Sequence, residues 1–232
     1  MTRPSLRAER RTLATALCAL VWLAAGLARA HDPAFDEPLP SLPEYLGLGI
    51  THVLIGYDHL AFLLGLSLLA ASPRALLGSV TAFTAAHSIS LAACVLELVV
   101  PDSRSVEVLI ALSIAYVALA QRLRLPRGRG VGIALLFGFV HGFGFAGALE
   151  EVGVPSDSAL SALALFNLGV ELGQLAVLAL LLPVLSRLRA RPALFTPVLQ
   201  GTHLALFLLG IGLALERSQW LWQPALQLGA SS

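Results

Sequence analysis

The feature that most constrains this chain is a series of apolar segments, each long enough to cross a lipid bilayer. About 20 apolar residues in a helix span the hydrocarbon core. Proline, glycine or charged residues stand at the breaks, as at Ser72-Pro73-Arg74 and Arg191-Pro192. Only 12% of the residues are charged and the mean hydropathy is +0.82, whereas soluble domains carry about 25% charged residues. We therefore predict an all-α membrane protein, a polytopic bundle of six transmembrane helices over residues 45–70, 75–99, 105–121, 131–149, 158–186 and 197–215.

The N-terminus predicts a cleaved signal peptide over residues 1–30. Four arginines precede a short apolar run from Leu13 to Leu27, and Ala28-Arg29-Ala30 is a small-x-small cleavage site. An uncleaved signal anchor is the alternative interpretation. Cleavage would leave His31 at the mature N-terminus, where its amine and imidazole could chelate a metal. Residues 31–44 then form an extracytoplasmic linker, residues 45–215 the membrane domain and residues 216–232 an extracytoplasmic tail.

The arginines predict the orientation of the bundle. Arg104 and Arg217 fall on the side of the mature N-terminus, and eight others fall in the predicted inner loops. Because inner loops are enriched in arginine and lysine, we expect both mature termini outside a bacterial-type inner membrane. The basic clusters are short and border apolar spans, so they do not indicate nucleic-acid binding. The eight inner arginines are Arg74, Arg122, Arg124, Arg127, Arg129, Arg187, Arg189 and Arg191.

The first predicted span carries His52, Asp58 and His59. Ionisable groups inside a membrane are costly, so they are functional candidates, and imidazole and carboxylate are ligands for transition metals. On one straight helix, His52 and His59 lie on the same face, about 10 Å apart along the axis at 1.5 Å per residue. The spacing therefore predicts an outer His52 followed by a deeper Asp58-His59 pair.

Three further spans carry one candidate ligand each. His87 lies in the second span, His141 lies in the glycine-rich fourth span, and Glu171 shares a helix face with Asn167 and Gln174 in the fifth. Any one of them alone is explained as well by helix–helix hydrogen bonding, and Glu171 could be a neutral carboxylic acid. Several polar groups at similar depth on different helices favour a shared site. The predicted metal ligands are His52, Asp58, His59, His87, His141 and Glu171.

These motifs resemble the HupE/UreJ family of membrane proteins. The resemblance starts at His52-x5-Asp58-His59 and continues through three later motifs. It implies a cation permease or accessory protein, with nickel as the cation, in hydrogenase and urease contexts. The fourth span has only His141 where the nickel-associated branch is richer in histidine, so the chain resembles the second branch of the family. The later motifs are Phe83-Thr-Ala-Ala-His87-Ser88, Phe137-Gly138-x-x-His141-Gly142-x-Gly144-Phe145-Ala146 and Phe166-Asn167-x-Gly169-Val170-Glu171-x-Gly173-Gln174.

Three functions fit these residues. The first is an inner-membrane transporter of a divalent transition metal, either nickel, cobalt, zinc or copper(II), all of which accept imidazole and carboxylate. The second is a non-transporting metal chaperone that serves metalloenzyme maturation proteins. The third is an intramembrane zinc-dependent hydrolase in which Asp58 is the base for a metal-activated water. The pattern favours a transporter over an enzyme, with the cation and the lipid bilayer as partners, and it does not indicate an oligomeric state.

Overall fold

The computed structural model describes residues 39–123 and 129–221, and these fold into helices joined by short connections. The predicted signal peptide, His31 and residues 222–232 of the predicted tail lie outside the described residues. Short 3-10 turns precede the sixth α-helix and follow the seventh. The α-helices are α1 (Leu42–Ile55), α2 (Tyr57–Leu69), α3 (Pro73–Val95), α4 (Ser103–Arg122), α5 (Gly130–Val152), α6 (Ala159–Arg189) and α7 (Pro192–Arg217).

Four of these helices are long and apolar enough to cross a membrane, namely α3, α4, α6 and α7. A fifth crossing results if α1 and α2 together form one span, bent by 69° at the break between them. In α5 the apolar stretch Gly130–Phe145 is shorter than a full span. The chain is thus an all-helical membrane protein with four or five candidate spans in its described part. The sixth span stays a prediction.

The breaks between helices lie near the predicted places. Ser72 caps α3, because its hydroxyl oxygen accepts a hydrogen bond from the backbone N–H of Ala75, 3.2 Å away, and Pro73 follows as the first helical residue. The other end of α3 is earlier than the predicted residue 99, since Glu97 has a φ of 56°. α1 begins at Leu42 and α7 extends to Arg217, so each helix runs into a segment predicted as linker or tail.

The largest departure from the predicted helices is at Gly56, where the first span breaks. Gly56 has a φ of −73° and a ψ of 93°, outside the helical region. A Cβ at this position would lie 2.5 Å from the carbonyl oxygen of His52 and 3.0 Å from Nδ1 of His59. Glycine therefore permits the sharp bend between α1 and α2. The prediction of one straight helix over residues 45–70 is wrong.

Glycines also bring the helices together in three closely packed pairs: α1 with α6, α3 with α5, and α4 with α7. Gly169 of α6 lies against the backbone of Leu46 and Gly49 in α1. Gly142 of α5 lies against the carbonyl of His87, and Gly210 of α7 lies against Ala115. Small residues allow this close backbone approach between membrane helices, where dispersion and hydrogen bonding replace the hydrophobic effect. The pairs hold the polar residues of α1, α3 and α5 in the interior.

Candidate metal centre

Histidines from three helices converge at the bend between α1 and α2. His52 lies in the last turn of α1, His59 in the first turn of α2 and His87 in α3, and one ring nitrogen of each lies within 4.8 Å of the other two. The ring centroids of His52 and His59 are 4.4 Å apart. The predicted separation of about 10 Å along one axis is therefore wrong, because the bend at Gly56 turns the two imidazoles toward each other. No other group of three His, Cys, Asp or Glu ligands this compact occurs among the described residues.

His141 of α5 adjoins this group. Its ring centroid is 5.0 Å from that of His59, and its side chain is buried. In this group of four neighbouring rings, one buried nitrogen of each imidazole has no hydrogen-bond partner among the described residues: Nε2 of His52, Nε2 of His59, Nε2 of His87 and Nδ1 of His141. Buried polar atoms in folded proteins are normally paired. Four unpaired nitrogens on neighbouring rings are the pattern expected of ligands for a cation.

Phenylalanines surround the four imidazoles. Phe145 and Phe166 stack on each other with ring centroids 4.6 Å apart, and Phe145 lies 4.0 Å from the ring of His52. Phe83 lies 5.2 Å from His141, and Phe62 lies 5.3 Å from the same ring. These apolar rings lower the local dielectric constant around the imidazoles, which strengthens electrostatic interactions there.

Two of the imidazoles form hydrogen bonds with neutral side chains that lie outside the histidine cluster. Nε2 of His141 is 3.0 Å from the hydroxyl oxygen of Ser113 in α4. Nδ1 of His87 is 3.3 Å from the amide oxygen of Asn167 in α6. In each case the ring nitrogen held by the neighbour is the one opposite the unpaired nitrogen.

A partly open cavity of about 420 Å³ leads to the histidines. His52, His59 and His141 line its inner end, while Glu107 of α4 and Glu216 of α7 line its outer end. Glu107 lies near the start of α4 and Glu216 at the end of α7, so the cavity opens at the end of the bundle where these two helix termini meet. The acidic lining favours the entry of cations.

Asp58 lines the same cavity but belongs to an ion pair. Its Oδ2 is 2.8 Å from Nη2 of Arg217, and the same Nη2 is 2.8 Å from the hydroxyl of Tyr57. Nη1 of Arg217 donates to the carbonyl oxygen of Glu107, 3.2 Å away. Arg217 therefore links the end of α7 to the starts of α2 and α4. The other carboxylate oxygen of Asp58, Oδ1, is buried without a partner among the described atoms.

Glu171 lies apart from the histidine cluster. Its Oε1 accepts a hydrogen bond of 2.9 Å from the hydroxyl of Thr81, and it does not line the cavity. Gln174, on the same helix face, accepts a bond of 2.9 Å from Thr84. The polar stripe predicted on this helix thus packs against α3. Of its members, only Asn167 reaches a histidine.

Sequence reasoning missed Arg217, Ser113 and the phenylalanine shell. By its charge Arg217 indicates only the topology, although its position directly after an apolar span allows its side chain to reach inward. Ser113 is a polar residue in a span that otherwise lacked candidates, which was the available signal. Phe62, Phe83 and Phe145 stand three or four residues from His59, His87 and His141, but aromatic residues are too common in membrane spans for that spacing to identify them.

Comparison with known proteins identifies one family. A family model described as HupE / UreJ protein matches residues 31–223, which is most of the chain. No curated protein and no solved structure matches the chain significantly.

Proposed function

We propose that this chain, which belongs to the HupE/UreJ family, transports a divalent transition-metal cation across the membrane. The observation that carries the proposal is the convergence of His52, His59 and His87, with His141 beside them, on unpaired ring nitrogens inside a membrane protein. Imidazole suits nickel, cobalt, zinc and copper(II). Nickel is the first cation to test because of the family resemblance.

The proposed path begins at the acidic end of the cavity. Glu107 and Glu216 attract the cation, and Asp58 passes it inward to the histidines through its free Oδ1. Three nitrogens bonded at 2.0–2.1 Å to one tetrahedral ion lie roughly 3.3 Å apart, whereas those of the cluster lie up to 4.8 Å apart. Binding would therefore draw the three imidazoles, which stand on α1, α2 and α3, closer together. Glu171 is excluded from this first site because its carboxylate is bound to Thr81.

The proposed topology is the six-span arrangement with a cleaved signal peptide and both mature termini outside the inner membrane. In this arrangement α1 and α2 make one broken crossing and α5 makes the fourth. Broken helices in membranes occur where the irregular backbone lines a cavity, and Gly56 does so here. The cavity mouth then faces outward, which fits uptake into the cell.

The hydrolase hypothesis has less support than transport. Its base would be Oδ1 of Asp58, since Oδ2 is bound to Arg217, and no HExxH or similar hydrolytic signature stands in the sequence. Ser88, which stands beside His87 and is the hydroxyl that such an enzyme could use, donates to the backbone carbonyl of Thr84 at 2.7 Å. A metal chaperone would use the same histidines as a transporter, so only an experiment distinguishes these two functions.

The test is cation entry into reconstituted vesicles. Purified protein is placed in vesicles that contain a metal-sensitive dye, and Ni²⁺, Co²⁺, Zn²⁺ or Cu²⁺ is added outside. We expect filling with the wild type, none with His59→Ala, and wild-type filling with Thr202→Ala, a control whose hydroxyl bonds only to the carbonyl of Val198. His59-dependent binding without filling would establish the chaperone. Lipid turnover by metal-loaded protein would establish the hydrolase.

A further inference from the structure

The hydrogen bonds of Ser113 determine the proton position on His141. The Ser113 hydroxyl is 2.6 Å from the carbonyl oxygen of Ile110, to which it donates its only hydrogen. Its oxygen must therefore accept at the contact of 3.0 Å with Nε2 of His141. Nε2 of His141 accordingly carries a hydrogen in the neutral ring. The lone pair is on Nδ1, the nitrogen that is buried and unpaired among the described residues.

Asn167 determines the proton position on His87, where the hydrogen is on Nδ1 rather than on Nε2 as in His141. The amide nitrogen of Asn167 donates to the carbonyl oxygen of Leu163 at 2.9 Å, which orients the amide oxygen toward His87. An amide oxygen only accepts, so Nδ1 of His87 carries the hydrogen. The lone pair of His87, a member of the three-histidine cluster, is then on Nε2, which is buried and has no partner in the described structure.

We propose that Ser113 and Asn167 are positioning residues that select the ligating nitrogen of each ring, Nδ1 in His141 and Nε2 in His87, and that their neutrality keeps the cation exchangeable. The inference rests on the proposed function, because it assumes that these rings bind a cation. Neither residue touches the ion. Each acts through the imidazole that it holds.

The neutrality of both acceptors has a consequence for affinity. Histidines that bind a metal commonly donate their second N–H to a carboxylate, which makes the imidazole a stronger ligand. Here the acceptors are a hydroxyl and an amide, and both lie in the buried interior. They fix the rotation and tautomer of each ring without adding negative charge. A cation held this way is positioned yet free to leave, as transport requires.

Substitutions at Asn167 separate this role from a structural one. Asn167→Asp supplies a charged acceptor of the same size, and we expect Ni²⁺ to bind about ten-fold tighter with slower vesicle filling, within the ~10–100-fold range of such partners. Asn167→Leu removes the acceptor and should weaken binding by a similar factor. The matched control is Thr84→Val, which removes the buried hydrogen bond to Gln174 on the same pair of helices. It should leave the Kd unchanged.

Ser113 is tested by the proton position itself. In protein labelled with ¹⁵N-histidine, wild-type His141 should show a protonated Nε2, and Ser113→Ala should show a mixture of tautomers and a weaker Kd for Ni²⁺. Ser67→Ala is the control, since this buried hydroxyl donates to the carbonyl of Leu63 in its own helix rather than to an imidazole. This spectrum is read without metal and therefore does not depend on affinity.

The outcomes are distinct. Equal loss of affinity in both Asn167 variants, or an unchanged tautomer in Ser113→Ala, would overturn the positioning role while leaving transport intact. Failure of the wild type to bind any of the cations would instead overturn the proposed function. Opposite shifts in Kd for Asn167→Asp and Asn167→Leu, together with the tautomer change, would support the inference.

Discussion

Removal of the Asp58–Arg217 ion pair at the cavity mouth should measurably lower the free energy of unfolding. The two charged atoms are 2.8 Å apart, and the side chains of Arg217 and Asp58 are only 13% and 19% exposed. At an effective dielectric constant of about 20, two unit charges at this distance attract by roughly 6 kcal/mol. Desolvation offsets most of that attraction. An exposed pair contributes about 0–1 kcal/mol and loss of one partner from a fully buried pair costs about 3–5 kcal/mol.

For this half-buried pair we therefore expect a coupling of about 2 kcal/mol, between those two limits. The assay is a double-mutant cycle of Arg217→Gln, Asp58→Asn and both together, with the free energy of unfolding measured in detergent. Arg217→Lys keeps the charge and should retain part of the coupling, because lysine lacks the planar fork that reaches Tyr57 and Glu107 as well.

The matched control is Arg189→Gln at the opposite end of α2. Arg189 donates to the backbone carbonyl of Ser67 at 3.3 Å, so its loss removes a charged hydrogen bond without leaving a carboxylate unpaired. We expect a smaller cost than for Arg217→Gln. Strictly additive effects of Arg217→Gln and Asp58→Asn would refute the reasoning, since two independent residues show no coupling.

Three further predictions concern the ligands, the packing and one helix end. Joint replacement of His59 and His141 by alanine should abolish bound metal in elemental analysis of purified protein, and metal retained at the wild-type level would contradict the site. Gly142→Ala should lower both the Tm and the metal affinity, because a Cβ there would collide with the backbone of His87, whereas Gly132→Ala on the same helix has open space and should change neither. Hydrogen bonds from the hydroxyl and then the backbone N–H of Ser105 hold the pKa of Asp102 below its ordinary value, so Asp102→Ala should lower the Tm at neutral pH. The stabilisation by the Asp102 carboxylate is complete above its unfolded-state pKa and disappears as pH falls through the lower folded-state pKa. The Tm difference between wild type and Asp102→Ala should therefore vanish in strong acid. A Tm difference that stays constant with pH would argue against a charged cap.

The placement of the helices was predictable from the sequence because hydropathy and turn residues act locally. The predicted span 158–186 compares with Ala159–Arg189 in α6, and the predicted span 105–121 compares with Ser103–Arg122 in α4. The family was also recognisable, since its motifs stand in this sequence and the family model matches residues 31–223.

The shape of the site was less predictable, because it depends on one backbone angle and on distant contacts. Hydropathy does not detect the break at Gly56, so the sequence predicts one straight helix with His52 and His59 far apart along its axis. Asp58 pairs with Arg217, which is 159 residues away in the sequence, and no periodicity reports such a contact. Glu171 shares a helix face with Asn167, but only the latter faces a histidine.

The central claim is that imidazoles from separate helices hold one cation in the membrane. X-ray absorption at the nickel edge of Ni²⁺-loaded protein measures this directly. We expect three or four nitrogen ligands at about 2.0–2.1 Å, by analogy with other imidazole-bound divalent metals, with one fewer in His87→Ala. A shell of oxygen ligands only, unchanged in His87→Ala, would contradict it.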